Sequence, residues 1–185
     1  MKKDLLPLLW PRPLLHTTSV TFTRSPLIVY RTLLAVERYP TFMTWCKGAE
    51  VVDKGVSGWK VNLTIGFPPV LLHCTSLVTM KEPLAVHSVF TKNKLFELFE
   101  LDWKLQPGEE VQGARGLVPV HTCHAQYTIK FTFASPAFNN LTKVVLNTVC
   151  TETAKAFAKE IENDKDHAPA LYDSALKEFV LVNRQ

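Results

Sequence analysis

Trp59-Lys60-Val61-Asn62-Leu63-Thr64-Ile65-Gly66-Phe67 alternates an apolar side chain with a polar or small one along its whole length. Successive side chains of an extended chain point to opposite faces, so this stretch is predicted to be a strand with one greasy face. Phe99–Gln106 repeats the pattern, with Phe99, Leu101, Trp103 and Leu105 set against Glu100, Asp102, Lys104 and Gln106. Ala125–Phe133 does so again, with Ala125, Tyr127, Ile129, Phe131 and Phe133 set against Gln126, Thr128, Lys130 and Thr132. A face shared by these strands must be covered, because exposed apolar area of that extent drives association. The one long cover the sequence offers is a helix from Ser135-Pro136 to about Ile161. Phe138, Leu141, Val145, Val149, Phe157 and Ile161 fall at helical spacing there, and Lys143, Asn147, Lys155 and Lys159 fall off that stripe.

Working outward, Leu15–Thr23 is a predicted strand, and Ser25-Pro26 places a hydroxyl at an N-cap and a proline at the first position of a helix running to about Glu37. A short helix is expected over Tyr39–Trp45, and further strands over Glu50–Lys54, Leu71–Lys81, Ala85–Thr91, Leu98–Gln106 and His121–Ala134. The turns between strands are short, which predicts antiparallel neighbours. Gly108–Pro119 reads as the one long loop, and a last helix is expected over Ala170–Val182 after a polar linker at Asn163–His167. The expected architecture is α+β: a curved antiparallel sheet of about seven strands wrapped around a long C-terminal helix, with two short N-terminal helices. Residues 1–14 read as an arm, 15–162 as a ligand-binding domain and 163–185 as a helical extension. A strongly twisted sheet that curls around a helix leaves a concave apolar interior, where small molecules bind.

Composition narrows the function classes. The chain has 185 residues, 46% of them hydrophobic, which fits one domain with a sizeable core. Its formal charge of +4 comes without a block of consecutive Lys and Arg, so no nucleic-acid partner is expected. Cys46, Cys74, Cys123 and Cys150 lie far apart without CxxC spacing, which reads as buried reduced thiols and not as a zinc site. His73, His87, His121 and His124 show no HxxxH or HExxH spacing, so no metal is expected. No apolar run approaches the roughly 20 residues of a membrane span, since Arg31 interrupts Leu27–Val36. Lys2, Lys3 and Arg12 are offset by Asp4 and by Pro7, Pro11 and Pro13, which makes a poor targeting peptide and fits a processed or trimmed start.

Tyr39-Pro40-Thr41-Phe42-Met43-Thr44-Trp45-Cys46 resembles the Y-x-x-F-x-x-W-C segment of the coenzyme Q-binding (Coq10) family, within the START-like, polyketide-cyclase superfamily. Ile65–Val70, Thr75–Thr79, Leu95-Phe96 with Leu101–Gly108, and Ile129–Phe133 resemble further family segments in the family's order, over about Val20 to Ile161. The family usually has a Tyr before the Thr-Ser of the fourth strand, where this chain has His73-Cys74, and an Asn after Leu-Phe, where it has Glu97. The resemblance implies the helix-grip fold and ubiquinone as the ligand, with no cofactor. It implies a carrier or chaperone that supports respiratory electron transport and coenzyme Q biosynthesis. It also implies a peripheral place on the matrix side of the mitochondrial inner membrane, with respiratory or biosynthetic proteins as partners.

Candidate ligand contacts are Tyr39, Phe42, Trp45, Lys47, Val61, Leu63, Ile65, Phe67, Phe96, Phe99, Trp103, Tyr127, Phe131, Val145 and Val149. Leu63, Ile65, Trp103, Phe131, Val145 and Val149 are expected to line a tunnel for an isoprenoid chain. Lys47 is a candidate donor to a quinone oxygen, or else a solvated lysine beside a helix end. The same aromatic residues also serve as plain core. START-like folds include cyclases and hydrolases, which need a titratable group beside the reacting atom. The inward sets of the three strands supply only Tyr127, a weak base at neutral pH, so binding without catalysis is expected. Ribosome or RNA binding is a third alternative and would need a basic surface. The turn Phe67–Leu72 offers an apolar tip for docking on a bilayer, with Lys143, Lys155 and Lys159 adding attraction to anionic lipid.

Overall fold

A computed structural model of the chain describes residues 13–67, 70–112, 119–135 and 142–163; for Phe67, Val70 and residues 110–112, 119–120 and 142–148 it describes the backbone alone. The strands are β1 (Leu14–Phe22), β2 (Cys46–Gly55), β3 (Gly58–Phe67), β4 (Val70–Lys81), β5 (Ala85–Phe90), β6 (Phe96–Gln112) and β7 (Pro119–Phe133). They form one seven-stranded sheet in the order β1-β7-β6-β5-β4-β3-β2, antiparallel at every step, as the short turns predicted. Between β1 and β2 come α1 (Pro26–Leu34), a 3-10 turn at Val36–Arg38 and α2 (Tyr39–Phe42); α3 (Thr142–Asn163) follows β7. This is the α+β helix-grip architecture, a curved sheet closed over a C-terminal helix.

Register explains why the alternating sets share a face. Trp103 lies opposite Tyr127, Leu101 opposite Ile129 and Phe99 opposite Phe131, so the apolar sets of β6 and β7 align row by row. Val61 and Leu63 lie opposite Ser76 and Cys74, which brings β4 into the same face through smaller and more polar side chains. Val61, Trp103, Tyr127, Ile129 and Phe131 are all buried. Each such side chain contributes about 1.5–3 kcal/mol on burial.

Several boundaries differ from expectation. β6 runs on to Gln112 through Pro107-Gly108, which had read as a turn, because a β-bulge between Pro107 and Glu110 absorbs the proline in the strand. Gly108 is needed there: a Cβ at this position would meet Thr122 Oγ1 at 2.2 Å. β2 begins at Cys46 instead of Glu50, with bulges at Cys46/Gly48 and Val51/Asp53 that hide its alternation. α1 stops at Leu34 and α2 at Phe42, both short of the expected ends. Ser25 sits at the N-cap of α1, but its carbonyl takes the amides of Ile28 and Val29 while its hydroxyl makes no cap bond. The start of the long helix at Ser135-Pro136, the last helix at Ala170–Val182 and the arm before residue 13 lie outside the described residues.

The C-terminal half of α3 is tied to the segments before β2. Arg38 pairs with Glu160, the Arg24 guanidinium donates to the Glu162 carbonyl at 3.1 Å, and Trp45 Nε1 donates to Thr153 Oγ1 at 3.1 Å. The exposed ion pair adds at most about 1 kcal/mol, so the packing described next does most of the holding.

Candidate functional site

The concave side of the sheet carries two groups of rings. In the first, Trp103 stacks on Tyr127 with ring centroids 4.4 Å apart and meets Phe157 of α3 edge-on at 5.4 Å. Phe157 also meets Tyr39 at 5.4 Å and Phe42 at 5.4 Å. This group joins sheet, α3 and α2. In the second group, Phe99 stacks on Phe90 at 4.3 Å and on Phe96 at 4.8 Å, and Phe96 stacks on Phe133 at 5.3 Å with Phe131 edge-on at 6.0 Å. Asn93 sets Phe96 in place, its side-chain oxygen accepting the amides of Leu95 and Phe96, each at 2.9 Å. Phe96, Phe99 and Phe133 are only half-buried, whereas Phe131 is fully covered.

Polar atoms in this interior are few. Thr153, 2% exposed, accepts from the Trp45 indole at 3.1 Å. Burial pushes the Tyr127 phenol well above its ordinary range; the Cys150 thiol and Tyr39 add to the shift, and the Thr153 hydroxyl works against it. Tyr39 is raised as well, first by burial, and its hydroxyl donates to the Leu33 carbonyl, so it is committed to holding α1 against α2. Burial pushes Cys74 and Cys150 each up to about 11 and Cys123 to about 12, and raises Cys46. These thiols remain protonated at neutral pH and behave as small apolar side chains. Among the described residues, the buried polar side chains are serines and threonines, with no carboxylate, imidazole or ammonium.

Most of the candidate contacts come together here. Tyr39, Phe42, Trp45, Trp103 and Tyr127 belong to the first ring group or touch it; Phe96, Phe99 and Phe131 form the second; Val61, Leu63 and Ile65 are buried on β3 beside them. Val149 is half-buried on α3, and the side chains of Phe67 and Val145 lie outside the described residues. Lys47 takes the solvated place, the second of its two readings. The bulge after Cys46 turns it to the outer face, where it is exposed, a Cβ on Gly66 would meet its stem at 2.9 Å, and its ammonium donates to the Thr44 carbonyl at 2.6 Å. It borders a surface concavity of about 260 Å3 between α2 and β2, with Phe42 and Cys46 on the inner wall.

Elements outside β3, β6 and β7 also reach the interior. Cys74 and Ser76 of β4 and Thr153 and Phe157 of α3 face inward, and all are buried. His73, beside Cys74, faces out and bonds Thr64 Oγ1 at 3.0 Å, while Glu97 pairs with Lys92. Asp102 sits on the outer face with His87, Nδ1 to Oδ1 at 2.7 Å. The sequence signal for Thr153 was its place four residues from both Val149 and Phe157, on the apolar stripe.

Known proteins bear on this arrangement. A family model described as polyketide cyclase / dehydrase and lipid transport matches residues 24–158. The mitochondrial coenzyme Q-binding protein COQ10 of Drosophila melanogaster is 27% identical over 133 residues, 72% of this chain, and the chain spans 52% of that relative's length. The structure of a START superfamily protein from Mycobacterium smegmatis aligns with TM-score 0.66 at 15% identity, over 80% of this chain and 97% of that one. The ZhuI aromatase/cyclase from Streptomyces sp. R1128 aligns with TM-score 0.71 at 11% identity, over 86% of this chain and 100% of that one. At such identities the structural likeness speaks for the fold alone. With the family model matched across the strands and helices that build the grip, the chain belongs to the polyketide cyclase / dehydrase and lipid transport family, as a START-like protein similar to the coenzyme Q-binding proteins.

Proposed function

We propose that the chain binds coenzyme Q, or a closely related prenyl quinone, between α3 and the concave face of the sheet, and acts as a carrier and not as an enzyme. The observation that carries this reading is the chemistry of the interior: aromatic and aliphatic walls, with hydroxyl and thiol groups that stay neutral at physiological pH. An isoprenoid chain buried against such walls gains about 25 cal/mol per Å2 of apolar area, which supplies most of the affinity. The cyclase fold neighbours raise the alternative of an enzyme. General acid–base work at neutral pH needs a group that titrates there, and the raised phenols and thiols of the described interior do not.

The similarity to the Drosophila mitochondrial coenzyme Q-binding protein supports a mitochondrial setting and a quinone as ligand. The finer reading is a peripheral protein on the matrix side of the inner membrane, serving respiratory and quinone-synthesising proteins. Among the described residues no helix is long and apolar enough to cross a membrane. Organic extraction of the purified full chain followed by mass spectrometry tests the reading. A prenyl quinone in molar proportion to protein is expected; extracts holding no quinone would overturn it.

A further inference from the structure

The sheet has two free edges, β1 and β2, and α3 closes on them in different ways. It packs directly against β1. Between α3 and β2 stands α2, which packs on both, with the Trp45–Thr153 bond of 3.1 Å beside it. One seam of the grip is therefore a helix laid on a strand, and the other is bridged by a single turn of four residues, none of them fully buried. Segments with few buried contacts open locally at a fraction of the cost of global unfolding. We propose that α2 is the strap through which the ligand of the interior enters and leaves, with the Phe42 ring as its gate; that this ligand is a prenyl quinone rests on the function proposed above.

Phe42 faces both ways. On the inner side its ring meets Phe157 at 5.4 Å and Tyr39 at 5.8 Å, and on the outer side it lines the concavity of about 260 Å3 with Pro40, Thr44 and Lys47. The backbone around it is held. Tyr39 donates its hydroxyl to the Leu33 carbonyl, Thr41 Oγ1 donates to the Arg38 carbonyl at 2.7 Å, and the buried Met43 donates its amide to the Tyr39 carbonyl at 2.8 Å. The part of the turn left free to move first is the Phe42 side chain, and the concavity is the space that receives it. Turning out breaks two edge contacts between rings and uncovers Phe157 and Cys46, both 2% exposed, of which Cys46 belongs to the wall of the same concavity. The concavity lies below the roughly 300–1,000 Å3 of pockets that hold drug-sized ligands, so it serves as a vestibule and not as the site itself.

Cys46 reports the opening without any ligand. Labelling of the native full chain with N-ethylmaleimide, read by peptide mass spectrometry, is expected to modify Cys46 ahead of Cys74, Cys123 and Cys150, which do not line the concavity. Phe42→Ala, which removes the gate and its two ring contacts, should speed Cys46 labelling about tenfold and leave the other three thiols unchanged. Stopped-flow quenching of the indoles by a short-chain ubiquinone then reads passage. Association and dissociation should both rise about tenfold in Phe42→Ala, with Phe42→Leu, which keeps an apolar plug, between it and the wild type. Val20→Ala, on the inner face of β1 at the other seam, should leave both rates where they are. Four thiols labelled at one rate in the wild type, as global opening would give, or a Cys46 rate unmoved by Phe42→Ala, overturns the gate. So does faster dissociation with unchanged association, the mark of a lost ligand contact. Faster Cys46 labelling with both quinone rates unchanged, or faster exchange in Val20→Ala than in Phe42→Ala, overturns the passage. A wild type that binds no quinone overturns the function proposed above together with the passage, while the thiol rates still decide whether the strap opens. Circular dichroism identifies a variant that does not fold, and Phe42→Leu carries the comparison if Phe42→Ala is one.

Discussion

Phe157 joins three parts of the molecule through one ring, since its edge contacts reach Tyr39, Phe42 and Trp103. It is 2% exposed, so truncation leaves a cavity that α3 and α2 cannot both close on. Phe157→Ala should cost about 3–5 kcal/mol in denaturant unfolding, whereas Val56→Ala, at a fully exposed turn, should stay within about 0.5 kcal/mol. The buried thiols give a second expectation at this scale. Cys74, Cys150 and Cys123 are raised to about 11, 11 and 12, above the unfolded value near 9, so the folded chain holds more protons than the unfolded one in between. Their contribution to stability is present below about pH 9 and is lost as pH climbs toward 11–12. Unfolding free energy should therefore fall over that window, and a Cys150→Ala variant should show a shallower fall. An identical slope in the variant would contradict the assignment of that thiol.

Among the elements, the β2–β3 hairpin depends most visibly on one residue. Gly58 has φ +139°, a region that L side chains rarely adopt, and a Cβ there would meet the Val78 carbonyl oxygen at 2.6 Å. Gly58→Ala should destabilise the protein by about 1–3 kcal/mol in urea melts. Gly48→Ala, whose Cβ would meet Thr64 Oγ1 at an ordinary 3.5 Å, should change little. The elements differ in how openly the sequence declares them. β3, β6 and β7 were legible because their inward positions are apolar and mostly large, so the two-residue period stands out. The inward row of β4 contains Cys74 and Ser76, and the bulges of β2 and β6 break the period or disguise a proline as a turn. Lys47, read as a donor to a quinone oxygen or else as a solvated lysine beside a helix end, takes the solvated place, which the bulge after Cys46 gives it. Thr153 was missed because a hydroxyl on an apolar stripe looks like an interruption until its partner, Trp45, is known. The aromatic half of the candidate site could be read from the chain, but the Trp45–Thr153 bond joins segments 108 residues apart, which no local pattern encodes.

For the whole molecule, the interior and the outer surface carry different demands. A carrier whose ligand lives in a bilayer must dock on that bilayer, and Leu71, at the start of β4, is 61% exposed. Lys159 is exposed on α3, while Lys155 already pairs with Glu152 at 3.0 Å. Leu71→Asp is expected to reduce flotation with anionic liposomes while the thermal midpoint stays close to that of the wild type; equal flotation would remove this surface from the account. The central claim concerns the interior, and Trp103 and Trp45 allow it to be observed directly because a quinone quenches indole fluorescence on contact. Titration of the purified, delipidated full chain with a short-chain ubiquinone should give quenching that saturates at one ligand per chain and is displaced by a longer-chain quinone. Quenching that rises linearly without saturation, as for quinone colliding with surface indoles, would contradict a quinone site between α3 and the sheet.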